Sequence, residues 1–342
     1  MIGFEHRKII AVLFSLLLMI SFFMALSFGT ISIPIDQVLQ SLFTDSSSPQ
    51  NNLVIDHVRL PRAILALLVG ALLGICGAAT QGLFRNPLAD PSLIGVTAGA
   101  SVGSAVVIFF SHELLSFSGF SGIGLVSIGA FIGGSIAVIL VYKLATNRNG
   151  TSVATMLLAG IAITAIAGGI TSLTEFFADN EALRRISLWR MGGLDGANTQ
   201  RLTIGLISLG LIMCLLPRYS TALNALLLGE SEARHLGIAV QKTKVRIVLL
   251  VAMGVAVSVS LAGSIAFVGL VIPHIIRLLI GPDHRWLLPM SALGGAILLL
   301  LADTVARTVF APIELPVGLV TALLGAPFFI SLLRQRHDYG MR

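Results

Sequence analysis

The chain has 342 residues, of which 56% are hydrophobic and only 11% charged. Water-soluble domains carry roughly 25% charged residues, so this composition excludes an ordinary soluble globular protein. The net charge of +6 reads as loop bias rather than a nucleic-acid face, because the lysines and arginines are spread over many loops.

The apolar residues arrive in long uncharged blocks, among them Ile9 to Phe28, Leu125 to Tyr142, Leu202 to Leu216 and Ile247 to Ile272. A helix needs roughly 20 apolar residues to cross a hydrocarbon core about 30 Å thick. Helices pair their own backbone groups in lipid, and the short alternating segments of a β-barrel do not occur. The pattern predicts an all-α, polytopic transmembrane bundle forming a single domain over 1–342, with no internal repeat.

Ten spans are predicted in chain order. The first, about 9–28, follows Arg7 and Lys8 like a signal peptide. It is longer than a typical h-region and no A-x-A site follows, so it is read as a retained span. A polar segment with Asp36, Asp45 and Ser46–Pro49 comes next. Spans two and three, about 63–83 and 93–110, are joined by the turn Arg85–Pro91. Span four covers about 120–142, and span five about 152–174 after a turn at Asn147–Gly150. A polar stretch, 175–201, precedes span six at about 202–217, and a long polar loop, 218–244, follows it. The last four spans are about 246–264, 267–280, 287–305 and 317–333.

With the N-terminus inside, fifteen of the 22 lysines and arginines fall on the cytoplasmic side, including Arg85, Arg148, Arg218, Lys244, Arg285 and Arg342. Seven fall outside: Arg59, Arg62, Arg184, Arg185, Arg190, Arg201 and Arg307. The bias places both termini in the cytoplasm. Glycines recur every four residues at Gly70 and Gly74, at Gly95, Gly99 and Gly103, and at Gly129 and Gly133. Such spacing lets helix backbones approach closely, as static packing or as a mobile seam. Cys76 and Cys214 lie within apolar segments and are expected to be buried thiols.

The chemistry missing from the sequence is informative. There is no G-x-x-x-x-G-K-[ST] loop for nucleotide, no H-E-x-x-H or paired C-x-x-C for zinc, and no G-x-S-x-G elbow. The span interiors hold almost no ionisable residues, which argues against an intramembrane enzyme and an ion-coupled pump. His274, after Pro273, reads as a packing histidine. Energy for transport is then expected from a partner. The loop Leu223–Ile238 offers a point of entry: leucines on one side and charges on the other suggest short amphipathic helices broken at Gly229 and Gly237. It is read either as a coupling element inserting into a soluble partner or as a segment resting on the membrane surface.

Several ordered motifs then resemble the permease family of ABC importers for iron chelates and vitamin B12. They are Arg59-Leu60-Pro61-Arg62, Gly70 to Gln81, Asn86 to Pro91, Phe267 to Arg277, Leu301-Ala302-Asp303 to Arg307, and Leu315 to Gly318. The resemblance runs from about residue 55 to 333. It implies ten helices per subunit, a homodimer in the bacterial inner membrane, two cytoplasmic ATP-binding subunits and a periplasmic or lipid-anchored binding protein. This chain would bind no cofactor of its own and would hydrolyse nothing. The family's coupling loop falls on Leu228, Gly229, Glu230, Glu232, Ala233, Arg234, Leu236 and Gly237. Arg59, Arg62 and Arg307 match positions that meet acidic residues of the binding protein, although Asp303 and Arg307 are also spaced to pair with each other.

The outer stretch Leu183 to Leu194 is most similar to haem-transporting members. Arg184, Arg185 and Arg190 suit propionates, and Trp189 and Met191 suit a flat apolar ring. The same stretch also reads as an interfacial helix with Trp189 at headgroup level. Haem is the expected cargo, with a ferric siderophore and then vitamin B12 as alternatives.

Overall fold

The computed structural model describes residues 4–44, 48–110, 122–147 and 150–339. Asp45, Ser46 and Ser47, the first residues of predicted span four, and Arg148 and Arg342 from the charge count lie outside the described residues. The helices in chain order are α1 (Phe4–Ser27), α2 (Ile35–Phe43), α3 (Pro49–Val54), α4 (Leu60–Phe84), α5 (Val96–Phe109), α6 (Gly122–Ala145), α7 (Val153–Phe177) and α8 (Asn180–Met191). They continue with α9 (Thr199–Leu215), α10 (Ser220–Leu227), α11 (Glu230–His235), α12 (Val240–Ala262), α13 (Val268–Ile280), α14 (His284–Thr308) and α15 (Val317–Tyr339). A small hairpin pairs β1 (Thr146–Asn147) with β2 (Gly150–Thr151).

The starts of these helices are set by side chains that accept from otherwise unpaired N–H groups. Ser48 caps α3, Ser152 caps α7, Asp179 caps α8, Asn198 caps α9 and Asp283 caps α14. The segment after α1, expected only to be polar, folds into α2 and α3. α3 then runs through a π turn at Ile55–Arg59 into α4.

Each of the ten predicted spans contains an apolar helix. Among the described residues seven helices are long and apolar enough to cross a membrane; three others, Val96–Phe109, Val268–Ile280 and Val317–Ser331, are shorter. The 13 residues of α13 rise only about 20 Å at 1.5 Å per residue, less than the hydrocarbon thickness. An irregular segment, Gly263–Phe267, precedes it. Non-helical backbone at membrane depth is tolerated where protein buries it or where it lines a cavity.

α4 sits at the centre, with 89% of its apolar window buried, and α12 and α14 follow at 72% each. α1, α7 and α9 are peripheral, at 17%, 22% and 17%, and present Leu16, Ile20, Ile161, Ile166, Leu206 and Ile207 outward. In water such surfaces would drive aggregation; against lipid tails they match the solvent. Cys214 belongs to this exposed face of α9, contrary to the buried thiol expected, whereas Cys76 is buried in α4. His274 packs edge-on against Phe328.

The glycine stripes are packing seams. Gly70 and Gly74 of α4 lie against Gly295 and Ser291 of α14, where an added methyl would overlap their carbonyl oxygens. Gly99 and Gly103 of α5 meet Gly133 and Gly129 of α6 in the same way. Gly95 does not join that stripe: it stands at φ 79° where the 3₁₀ turn Pro91–Ile94 passes into α5.

Side-chain bonds separate the two ends of the bundle. At one end Arg7 meets Asp283, Asn224 meets Asp283 and His284, and Lys244 meets Glu230 and Thr151. At the other, Arg59 meets the end of α1, and Arg62 meets Asp195, Asp303 and Glu314. The predicted orientation makes the first end cytoplasmic.

Candidate functional site

Three features carry the chemistry: a buried charge cluster at the outer end, a cavity at membrane depth, and a polar loop at the opposite end.

In the outer cluster, Arg62 Nε donates to Asp303 Oδ1 at 2.9 Å, and its Nη1 reaches Glu314 at 2.6 Å and Asp195 at 3.2 Å. Arg307 Nε donates to Asp303 Oδ2 at 3.0 Å and its Nη2 to the Ala25 carbonyl at 2.9 Å. Arg59 Nη1 donates to the carbonyls of Leu26 and Ser27 at 2.7 and 2.8 Å, and Nη2 to that of Ile31. A cation there meets the last carbonyls of α1, of which that of Ser27 also accepts from the Ile33 N–H. The three arginines, Arg59, Arg62 and Arg307, are 4%, 6% and 5% exposed. In this chain their guanidinium groups are turned inward rather than presented at the surface, and the spacing of Asp303 and Arg307 is a true intrahelical pair. The sequence signal was sound in locating charge at this end. It did not say which way the side chains turn.

The cavity has a volume of about 750 Å³. Its walls come from the 3₁₀ turn after α4, from α5, α7 and α12, from the irregular segment Ser264–Phe267, and from Phe329 of α15. The lining is mostly apolar, with hydroxyls at Ser101, Thr164, Thr171 and Ser172 and a carboxyl at Asp90. Thr171 is only 4% exposed and its Oγ1 has no hydrogen-bond partner among the described residues. A helical threonine usually returns its hydroxyl to a carbonyl one turn back; this one is left available within the wall. These hydroxyls went unread in the sequence because each looks like a tolerated polar residue in an apolar span. Their spacing along α7 (Thr164, Gly168, Thr171 and Ser172) is the signal that was present.

Of the predicted path residues, the structure brings only Arg190 to this cavity, where it also pairs with Glu175 at 2.8 Å. Arg184 is exposed and Arg185 half-buried away from the lining. Met191 is 47% exposed. Trp189 instead packs into the protein, against both apolar clusters. The helical period explains the split, since Trp189 and Arg190 stand about 100° apart on α8. Among the described residues no group of three or more His, Cys, Asp or Glu side chains is placed to hold a metal ion.

At the opposite end the loop folds as the sequence suggested: α10 and α11 break at Gly229, φ 121°, and Gly237, φ 80°. Leu223, Leu226 and Ala233 anchor it inside, while Leu228, Arg234 and Leu236 project at 69%, 63% and 63% exposure. Glu232 and Gly237 are exposed as well. Glu230 turns inward, to Lys244 Nζ at 2.5 Å and Arg234 at 3.8 Å. A shallow depression of about 370 Å³ lies beside α11, lined by Arg234, Ile238 and Gln241 among others. The base is held by Asp283. Burial alone would raise its carboxyl, but the Asn224 amide, the Arg285 N–H and Arg7 outweigh burial and hold it below the usual carboxylate value.

Comparison with known proteins agrees with this geometry. The model of the FecCD transport family matches residues 17–335. The hemin transport system permease protein of Yersinia pestis is 46% identical over 288 residues, 82% of this chain and 84% of that protein. The cobalamin import system permease protein of Halobacterium salinarum is 43% identical, over 83% of this chain and 74% of that one. The iron(3+)-hydroxamate import system permease protein of Bacillus subtilis is 38% identical over 94% and 95%. A solved structure of an inward-facing metal-chelate type ABC transporter superposes with a TM-score of 0.84 at 34% identity, covering 96% and 99% of the two chains. The chain belongs to the FecCD transport family: it is a multi-pass membrane permease of an ABC importer, and ATP hydrolysis lies on separate subunits.

Proposed function

We propose that this permease carries haem inward across the bacterial inner membrane as one half of a homodimer. The observation that carries the cargo assignment is the 46% identity to a hemin permease over 82% of the chain. Arg190 on the cavity wall supports it, since haem bears propionates that a guanidinium pairs well. A ferric hydroxamate or cobalamin is the second reading, favoured by the relatives named for those cargoes.

Homodimerisation is supported by α7. One face lines the cavity, while Leu158, Ile166 and Leu173 stand 59–68% exposed. Gly169, which is not on the cavity wall, faces open space, and a methyl group added there would meet no atom within 4 Å. A second copy laid against this helix would close the cavity into a path along the dimer axis. The ATP-binding subunits are assigned to the α11 end, and a binding protein to the outer end through groups other than the three buried arginines.

The test is reconstitution in liposomes with the ATPase and binding proteins, comparing uptake of haem, a ferric siderophore and cobalamin. Haem-dependent uptake with stimulated hydrolysis is expected. Stimulation by a siderophore and not by haem overturns the cargo assignment.

A further inference from the structure

We propose that Lys244 is a positioning residue that links the partner-facing helix α11 to the cavity-lining helix α7. The inference rests on the reading of α11 as the ATPase-facing segment.

Lys244 is 3% exposed, an unusual burial for an ammonium group. Its Nζ lies 2.5 Å from Glu230 Oε1, the first residue of α11, and donates at 3.1 Å to the Thr151 carbonyl. Three residues earlier on α12, Gln241 Oε1 accepts from the Thr151 N–H at 3.0 Å. The first turn of α12 therefore grips Thr151 on both sides of its backbone. Thr151 is itself 5% exposed and its hydroxyl meets that of Thr146 across the hairpin at 3.0 Å.

From Thr151 the chain leads directly into α7. The Ser152 N–H donates to the Ala145 carbonyl, and the Ser152 side chain caps α7. α7 then carries Gly160, Thr164 and Thr171 along the cavity wall. Every link between Glu230 and α7 is a short polar contact or a single covalent step. α11 makes no comparable polar contact of its own with α7 among the described residues. A displacement of α11 by a partner thus reaches α7 through the ammonium of Lys244, with Gln241 holding the same peptide from its other side.

The experiment uses the complete transporter in liposomes and measures cargo delivered per ATP hydrolysed, together with co-purification of the ATPase subunits. Lys244→Met is expected to leave the complex assembled and hydrolysing while yield per ATP falls at least about fivefold, within the usual range of coupling between sites. Lys244→Arg, which keeps the cation, is expected to restore most of that yield. Gln241→Ala, which leaves the Lys244–Glu230 pair intact, is expected to lower yield in the same direction but less. Unchanged yield in an assembled Lys244→Met complex overturns the proposal. If that variant fails to assemble, Gln241→Ala decides: a lowered yield with hydrolysis retained supports the link, and an unchanged yield overturns it. Failure of the underlying reading is seen separately, as ATPase subunits that still bind and respond after deletion of residues 229–237.

Discussion

Asp303 is 1% exposed and faces two arginines, so its charge has no recourse to water. Removing one partner of such a buried set leaves the others uncompensated and costs about 3–5 kcal/mol. Asp303→Asn is therefore expected to lower thermal stability in detergent by about that amount, read by unfolding of the purified permease. Arg59→Glu is expected to behave alike, because it would set a carboxylate against the carbonyls that end α1. A loss of binding-protein affinity with unchanged stability would return Arg59 to the docking role. Arg190 is the opposite case. Its pair with Glu175 is half-exposed and worth no more than about 1 kcal/mol. Arg190→Gln is expected to leave stability nearly unchanged and to reduce haem uptake more than uptake of a cargo without carboxylates. Asp283 adds a pH dependence. Its carboxyl is held below the ordinary 3.8, so the ionised form stabilises the folded state above that value. The stabilisation is lost as pH falls through the lower, folded-state value. Asp283→Asn should flatten the acid limb of the stability curve below about pH 4 and lower neutral stability by an amount that does not vary with pH.

At the level of helices, glycine has two opposite uses. At Gly74 and Gly103 the neighbouring backbone occupies the space a side chain would need. Overpacking such a contact costs about 1–3 kcal/mol or more, so Gly74→Leu and Gly103→Leu are expected to lower the yield of monodisperse protein in detergent. Gly169 of α7 has open space, and alanine is better than glycine in a helix interior by about 1 kcal/mol. Gly169→Ala is expected to leave the melting temperature of the detergent-solubilised monomer unchanged or slightly raised. If the homodimer forms through α7, the same substitution should weaken it, read by cross-linking in membranes. α13 shows a third constraint. Its helix is too short to span, and Ser264–Phe267 of the irregular segment that precedes it lies on the cavity wall. Backbone left unpaired by helix at that depth needs either protein or water beside it.

For the molecule as a whole, burial sorts the spans by role. α4, α12 and α14 form a packed centre, α1 and α9 face outward, and α7 divides its surface between cavity and exterior. The ion pairs are segregated to the two ends, one with Arg59, Arg62, Asp303 and Arg307 folded inward and one with Leu228, Arg234 and Leu236 projecting. That asymmetry fits a permease driven from one side by a partner that must move it, and fed from the other.

The positions and order of the apolar helices were legible in the sequence, because lipid imposes a single requirement on backbone and side chain over some twenty residues at a time. The break points Gly229 and Gly237 were legible for a similar reason: both stand at positive φ, which glycine adopts without strain. The family was legible from ordered motifs spread over most of the chain. The direction of Arg59, Arg62 and Arg307 was not, because partners such as Ala25, Leu26, Asp195 and Glu314 lie as many as 282 residues away. The exposure of Cys214, the turn of Trp189 away from the cavity and the grip of Lys244 and Gln241 on Thr151 were equally hidden. Local sequence specifies which residues lie on a helix and at what period. Which face of that helix meets protein, cavity or lipid is decided only when distant segments pack against it.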